Sequence, residues 1–316
     1  MVGSGSRERN YTARAASPRR IELIVPLGLA GSRLDSALAR LLPEVSRSRL
    51  AKLIGEGRVQ VDGAAAVPRR KVTGGERVEV VLEPRPEEAA FRPEPIGLAV
   101  VHEDEDVLVL DKPAGLVVHP GAGNWSGTLL NALLHHSSSA SRLPRAGIVH
   151  RLDKQTSGLL VVARTEAAQL DLVRQLQART VKRTYLAIAR GRVAGGGTID
   201  RPIGRHPVKR TRMAVVAAGK PAVTHYRVRE RFRAHTLLEC DLETGRTHQI
   251  RVHLAAIGHP LEGDAEYGPA GGRRLSRQAL HAWRLAFRHP RTGEPLAFES
   301  KLPADFEALL EALRGP

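Results

Sequence analysis

One carboxylate in this chain of 316 residues stands where residue types and spacing could make it reactive. Asp153 lies in the polar insert His150-Arg-Leu-Asp-Lys-Gln-Thr-Ser157, between two apolar, β-branched runs, 147–149 and 159–163, that read as buried strands. A rigid sheet would then present a charged loop. Arg151 and Lys154 flank the acid, and neighbouring cations favour its ionised form. A carboxylate held ionised and in place can act as a nucleophile. An Asp ahead of Thr-Ser-Gly is also a common turn residue that bonds its own backbone, and the local residues alone leave both readings open.

A second stretch runs Leu242-Glu-Thr-Gly-Arg-Thr-His-Gln-Ile-Arg-Val-His-Leu254. It predicts a helix capped by Thr247, continuing to Ile257 and stopped by Gly258, with Ile250, Leu254 and Ile257 as its buried stripe. Arg251 falls beside that stripe, so its guanidinium would be half buried and in need of a carboxylate. Spacing allows Glu243 or another acid. His248 and His253 lack the i, i+4 spacing and the Glu of a zinc-protease helix, so no metal site is expected.

The elements that must position these groups fall into segments. Residues 1–20 hold Gly, Ser, Arg and Ala with almost no large apolar side chains and read as a disordered basic tail, inert or loosely phosphate-binding. Residues 21–83 read as a small domain. A strand at 21–25 precedes a helix capped by Ser32 with Leu34, Leu38 and Leu41 at helical spacing; a second helix capped by Ser46 buries Leu50, Leu53 and Ile54. Arg47, Arg49 and Lys52 are left for solvent, and strands at 58–61 and 77–81 follow. Residues 84–95 carry Pro84, Pro86, Pro93 and Pro95 and read as an extended acidic linker.

From residue 96 to 316 the pattern is one larger domain, α+β with much antiparallel pairing. Strands are predicted at 98–101, 107–110, 181–189, 224–228 and 236–242. A turn is predicted at 112–115 and a helix from Gly127, with a further amphipathic helix over 166–179 whose stripe is Leu170, Val173 and Leu176.

Net charge is +16, which implies a polyanionic partner. No apolar run approaches bilayer length and no signal-like region opens the chain, so nucleic acid is favoured over membrane. The charge is segregated. Residues 142–192 hold eleven Lys or Arg against three acids, and residues 201–233 hold ten against one, where an ordinary solvated face would mix its signs. The turn-rich run from Arg205 through Lys209 and Arg210 to Met213 reads as a protruding loop of phosphate contacts. The single cysteine, Cys240, allows no intrachain disulfide and no thiolate zinc site, which fits a reducing cytoplasm.

The run His150-Arg-Leu-Asp-Lys-x-Thr-Ser-Gly158, followed by an apolar strand, resembles the active-site motif of the RluA-type pseudouridine synthases. The likeness continues in Leu116-Val-Val-His-Pro-Gly-Ala-Gly-Asn124, in Gly219-Lys-Pro-Ala-Val-Thr-His-Tyr226 and in the stretch around Arg251. Residues 31–82 resemble the S4 RNA-binding domain through Arg33-Leu-Asp-Ser-Ala-Leu38, Ser46-Arg-Ser-Arg-Leu50 and Gly57-Arg-Val-Gln-Val-Asp-Gly63. Within the family, the runs look most like the branch acting on large-subunit (23S) ribosomal RNA. One departure is the short segment 268–274, where that branch would carry a longer insertion.

The resemblance implies an α+β pseudouridine synthase fold with a mixed, largely antiparallel central sheet, preceded by a small S4 (αL-like) domain. It implies that Asp153 is the catalytic aspartate, that Arg251 pairs with it and keeps it ionised, and that Tyr185 stacks near an everted base. Arg151 would enter the RNA helix where the target nucleotide leaves. Leu152 and Ile250 would be apolar walls, and Arg205, Lys209, Arg210, Arg47, Arg49 and Lys52 would contact RNA. Uridine isomerisation breaks the N-glycosidic bond, turns the uracil ring and joins C5 to C1′. Nothing is oxidised and no group is lost, so no redox, nucleotide or metal cofactor is needed; a monomer is expected. Asp153 could attack covalently or promote a ribose elimination, and tRNA or another rRNA site would suit the same chemistry, as would a non-catalytic assembly factor that keeps the fold.

Overall fold

The computed structural model describes residues 18–83, 90–269 and 274–315. Most of the expected tail, six residues of the expected linker (84–89) and residues 270–273 of the short segment lie outside them. The chain divides into two compact units that part at residue 90.

In the first unit, strand β1 (Arg19–Ile24), helices α1 (Leu34–Leu41) and α2 (Arg47–Gly55), and strands β2 (Val59–Val61), β3 (Ala64–Ala65) and β4 (Arg77–Leu82) make an antiparallel sheet of order β1-β4-β2-β3 under two helices. Alternation in β2 and β4 sends Val59, Val61, Val78 and Val80 inward against Leu34, Leu38, Leu50, Leu53 and Ile54. Ser46 caps α2 as expected, its Oγ accepting from Arg49 N–H. Ser32 does not cap α1. Its backbone is taken up by Leu29 and Val72 while Leu34 N–H bonds Arg70 O, so the helix starts one residue later from Arg33, with no side-chain cap.

The second unit is built on nine strands: β5 (Val100–Glu103), β6 (Val107–Lys112), β7 (Ser157–Ala163), β8 (Lys182–Arg190), β9 (Gly197–Asp200), β12 (Val223–Arg231), β13 (His235–Leu242), β14 (Leu280–Arg288) and β15 (Pro295–Glu299). Their order is β5-β6-β7-β14-β8-β13-β12-β9, with β15 also on β14. Only the β7–β14 contact is parallel, so the sheet is mixed and largely antiparallel, as the sequence implied. Strands β10 (Ile203–Arg205) and β11 (Met213–Val215) form a separate hairpin.

The central strands are apolar on both faces because both are covered. Leu108, Leu110, Leu160, Val162 and Ala187 face a core shared with α3 (Leu129–His136) and α5 (Gln249–Ala256). The alternate residues Val107, Val109, Leu159 and Val161 meet α4 (Glu166–Gln177), and Leu186, Ile188 and Trp283 meet α6 (Ala304–Arg314).

Two local expectations change. The run 147–149 is not a strand: Arg145, Ala146 and Gly147 form a left-handed run with φ of 55°, 53° and 80°, leaving a single bridge from Ile148 to Val162. A Cβ at Gly147 would lie 1.9 Å from the Ala163 carbonyl oxygen, so this backbone is pressed directly onto β7. In α4, Leu170 points to solvent, 54% exposed, and the buried pair is Ala168 and Leu172. The apolar stripe is thus rotated from the Leu170-Val173-Leu176 reading, because small Ala168 carries the close approach to the sheet.

Candidate active site

Asp153 sits in the turn that leads into β7, and three groups bond the backbone of that turn. Lys112, at the end of β6, donates its Nζ to the carbonyls of Pro113 (2.8 Å), Leu116 (2.9 Å) and Lys154 (3.2 Å). Gly115 N–H reaches Lys154 O, and Arg277 Nη1 reaches Gln155 O at 3.3 Å. Burial pulls the Lys112 ammonium down to about 7, with the Asp153 charge opposing the shift and Arg277 adding to it. Lys112 was read in the sequence as part of a turn; it is the last residue of β6, after Val107-Leu-Val-Leu-Asp111, and is 1% exposed.

The Asp153 side chain is 15% exposed. Its Oδ2 accepts from Arg251 Nη1 at 3.2 Å, joining residues 98 positions apart. Arg251 is more buried than its place beside the helix stripe suggested, with 7% of its side chain exposed. It lies in a carboxylate cage, donating Nε to Asp264 Oδ2 (2.7 Å) and Nη2 to Asp264 Oδ1 (3.0 Å) and Glu266 Oε2 (3.1 Å). Burial works against the Arg251 charge, but Asp264 and then Asp153 outweigh it and raise the pKa. Glu243, the local partner that spacing allowed, is instead engaged by Arg179 and His225.

Tyr267 closes this group. Its ring lies under the Arg251 guanidinium at 4.9 Å, and its hydroxyl bonds His248 Nδ1 (2.8 Å) and accepts from Met213 N–H at the start of β11 (3.1 Å). His248 takes the N-cap place of α5 in a left-handed conformation, displacing the predicted Thr247, and its Nε2 stands 3.9 Å from Asp153 Oδ1. Asp264, Glu266, Tyr267 and the role of His248 were missed in the sequence, where Gly263-Asp-Ala-Glu-Tyr-Gly268 carries only turn-forming residues around them.

Tyr185 lies on β8, 6% exposed, in the same core as Leu152 and Ile250. Burial raises its pKa, Arg183 opposes and Asp153 adds, so the phenol keeps its proton. Arg151 is exposed on the Asp153 turn. Arg205, Lys209 and Arg210 are exposed on the β10–β11 hairpin, whose loop also carries Val208 at 82% exposure. In the first unit Lys52 is exposed and pairs with Glu56, Arg47 is exposed yet bonds Asp35, and Arg49 is half-buried and donates to the Glu83 carbonyl. Those three were expected to be free, and acids (for Arg47 and Lys52) or a backbone carbonyl (for Arg49) within their own unit hold part of their hydrogen-bonding capacity.

Among the described residues one group of side chains could gather donors about a cation: Asp104, Asp106 and His289. Arg291 bonds Asp106 at 2.6 Å and His102 bonds Asp104 at 2.8 Å, so both carboxylates already have partners. His253, buried, bonds Thr224 Oγ1 and the Arg201 carbonyl and forms no pair with His248.

The sequence profile of the RNA pseudouridylate synthase family matches residues 106–256, and that of the S4 domain matches residues 32–78. The chain is 56% identical to the ribosomal large subunit pseudouridine synthase D of Nitrosomonas europaea over 323 aligned residues, 97% of this chain and 94% of that one. It is 55% identical to the protein of the same name from Pseudomonas aeruginosa, over 92% of this chain and 94% of the other. Among solved structures, human RNA pseudouridylate synthase domain containing 1 aligns with a TM-score of 0.55 and 29% identity, covering 71% of this chain and 97% of that one.

Proposed function

As the chain belongs to the RNA pseudouridine synthase family, we propose that this isomerase converts specific uridines of large-subunit (23S) ribosomal RNA to pseudouridine, with Asp153, Tyr185 and Arg251 as its catalytic residues. The observation that carries the assignment is the Arg251–Asp153 contact at 3.2 Å: a buried guanidinium and a partly exposed carboxylate from distant motifs meet near a protonated tyrosine. The choice of RNA rests on the names of the relatives.

The reaction breaks N1–C1′, forms C5–C1′, and moves a proton from C5 to N1. A uridine within a stem cannot be reached in place, so it must swing out, costing a few kcal/mol for unstacking. Exposed Arg151 takes the place of the departed nucleotide, and the basic hairpin carrying Arg205, Lys209 and Arg210 holds the backbone. Attack on C1′ and proton abstraction from the ribose both need one carboxylate fixed next to the sugar, and Arg251 fixes it. Leu152 and Ile250 back the base. Arg47, Arg49 and Lys52 in the S4 domain add phosphate contacts by letting go of their internal partners. The protein works as a monomer, without small-molecule cofactor or metal, in the cytoplasm; no helix among the described residues is long and apolar enough to cross a membrane.

The deciding experiment is carbodiimide mapping of pseudouridine after purified protein is incubated with unmodified 23S rRNA and, separately, tRNA. New stops in 23S rRNA are expected. Stops in tRNA alone would move the substrate, and none in either RNA would leave a binding factor.

A further inference from the structure

Arg183 is a buried cation that the ion-pair scheme of the site leaves out. It lies on β8 two residues before Tyr185, so both side chains leave the strand on the same face. The residue is 8% exposed, its Nε is sealed from solvent without a hydrogen-bond partner, and no carboxylate among the described residues comes within ion-pair distance. The acids at the end of β13 are committed elsewhere, Asp241 to Thr184 and Arg227, and Glu243 to Arg179 and His225. A sealed Nε–H lacking an acceptor is costly, so folding alone does not account for it.

A second orphan donor adjoins it. His150 Nε2 accepts Val161 N–H at 3.1 Å, which leaves the ring proton on Nδ1, and Nδ1 is buried with no acceptor. Burial first, and the Arg183 charge second, hold this ring neutral with a pKa near 3. Gly245 makes the space: a Cβ there would stand 2.7 Å from Arg183 Nη1. The three segments that build the active site, the Asp153 loop, β8 and the turn before α5, thus converge on two unpaired donors.

We propose that Arg183, with His150 Nδ1–H as a second donor, forms an anion pocket that receives one backbone phosphate of the RNA strand next to the everted uridine. A guanidinium fork suits a phosphate in geometry and charge, and the phosphate would satisfy donors that the free protein leaves unpaired. The pocket gives the site a fixed point on the strand, which sets where the ribose falls relative to Asp153. This inference rests on the functional reading above.

The test uses a synthetic RNA fragment around the mapped uridine, in a series with one uncharged methylphosphonate at each linkage flanking that uridine. In the wild type, one linkage should lower kcat/KM on the order of ten- to a hundredfold. Arg183→Gln should show a similar loss on unmodified RNA and no further loss at that linkage, while Arg183→Lys should retain part of the sensitivity. Gly245→Ala, which crowds Nη1 but keeps the charge, should reproduce the Arg183→Gln pattern and carries the test should that variant fail to fold. A wild type indifferent to every neutral linkage, or an Arg183→Gln protein with undiminished sensitivity, would overturn the pocket. Absence of turnover by the wild type on unmodified RNA would sink the functional reading, and the pocket with it.

Discussion

Asp153 is held from two sides, by Arg251 on its carboxylate and by Lys112 on the carbonyl of the next residue, Lys154. Asp153→Asn keeps the shape of the turn while removing the charge. It should lower isomerisation by about a thousandfold or more and leave RNA affinity within about tenfold, since affinity rests on many phosphate contacts. Single-turnover assays and filter binding separate the two; retained turnover would remove Asp153 from its role. Tyr267→Phe keeps the ring under Arg251 but strips the acceptor from Met213 N–H and the partner from His248. It should destabilise the fold by about 1–2 kcal/mol, read as a shift of the urea midpoint at unchanged slope. The sequence made Asp153 and Arg251 visible as individuals, yet their pairing followed only from family likeness, because a contact across 98 residues leaves no trace in local spacing. Asp264 and Tyr267 stayed hidden for a related reason: their meaning lies in a guanidinium brought from another element.

At the scale of elements, side-chain caps and apolar alternation were legible where they are self-contained. Ser46 and the strands β6, β7 and β13 formed close to where residue types placed them. Ser32, Thr247 and the run 147–149 were misread because a neighbouring segment decides their backbone: the 70–72 segment for Ser32, the His248 turn for Thr247, and β7 for Gly147. Thr128 and Asn131 make a reciprocal capping box at the buried start of α3, so Thr128→Ala should cost about 1–2 kcal/mol in equilibrium unfolding. Gly147→Ala should be worse, by more than about 3 kcal/mol, since the new methyl meets the Ala163 carbonyl and the residue must hold φ of 80°. Soluble yield and thermal midpoint report it, and near-wild-type stability would mean that β7 can withdraw.

Across the whole molecule, five histidines, 119, 150, 248, 253 and 281, have pKa values lowered chiefly by burial, His119 to about 4 and His150 to about 3. In the unfolded chain each takes up a proton near pH 6.5, whereas the folded protein refuses it until the solution is more acidic. Below about pH 6.5 the unfolded state therefore binds more protons, and stability must fall as pH drops. A loss on the order of a few kcal/mol between pH 7 and pH 5 is expected from denaturant titrations across that range. A flat profile there would show that these rings are not held neutral. The placement of β14 has a consequence for synthesis. This long strand slots between β7, which follows the Asp153 turn, and β8, which carries Tyr185, pairing with one on each side. Until residues 280–288 have left the ribosome, those two strands have no common neighbour and the active centre cannot close. A nascent or prematurely terminated polypeptide that lacks these residues should therefore be catalytically silent, because nothing yet joins β7 to β8.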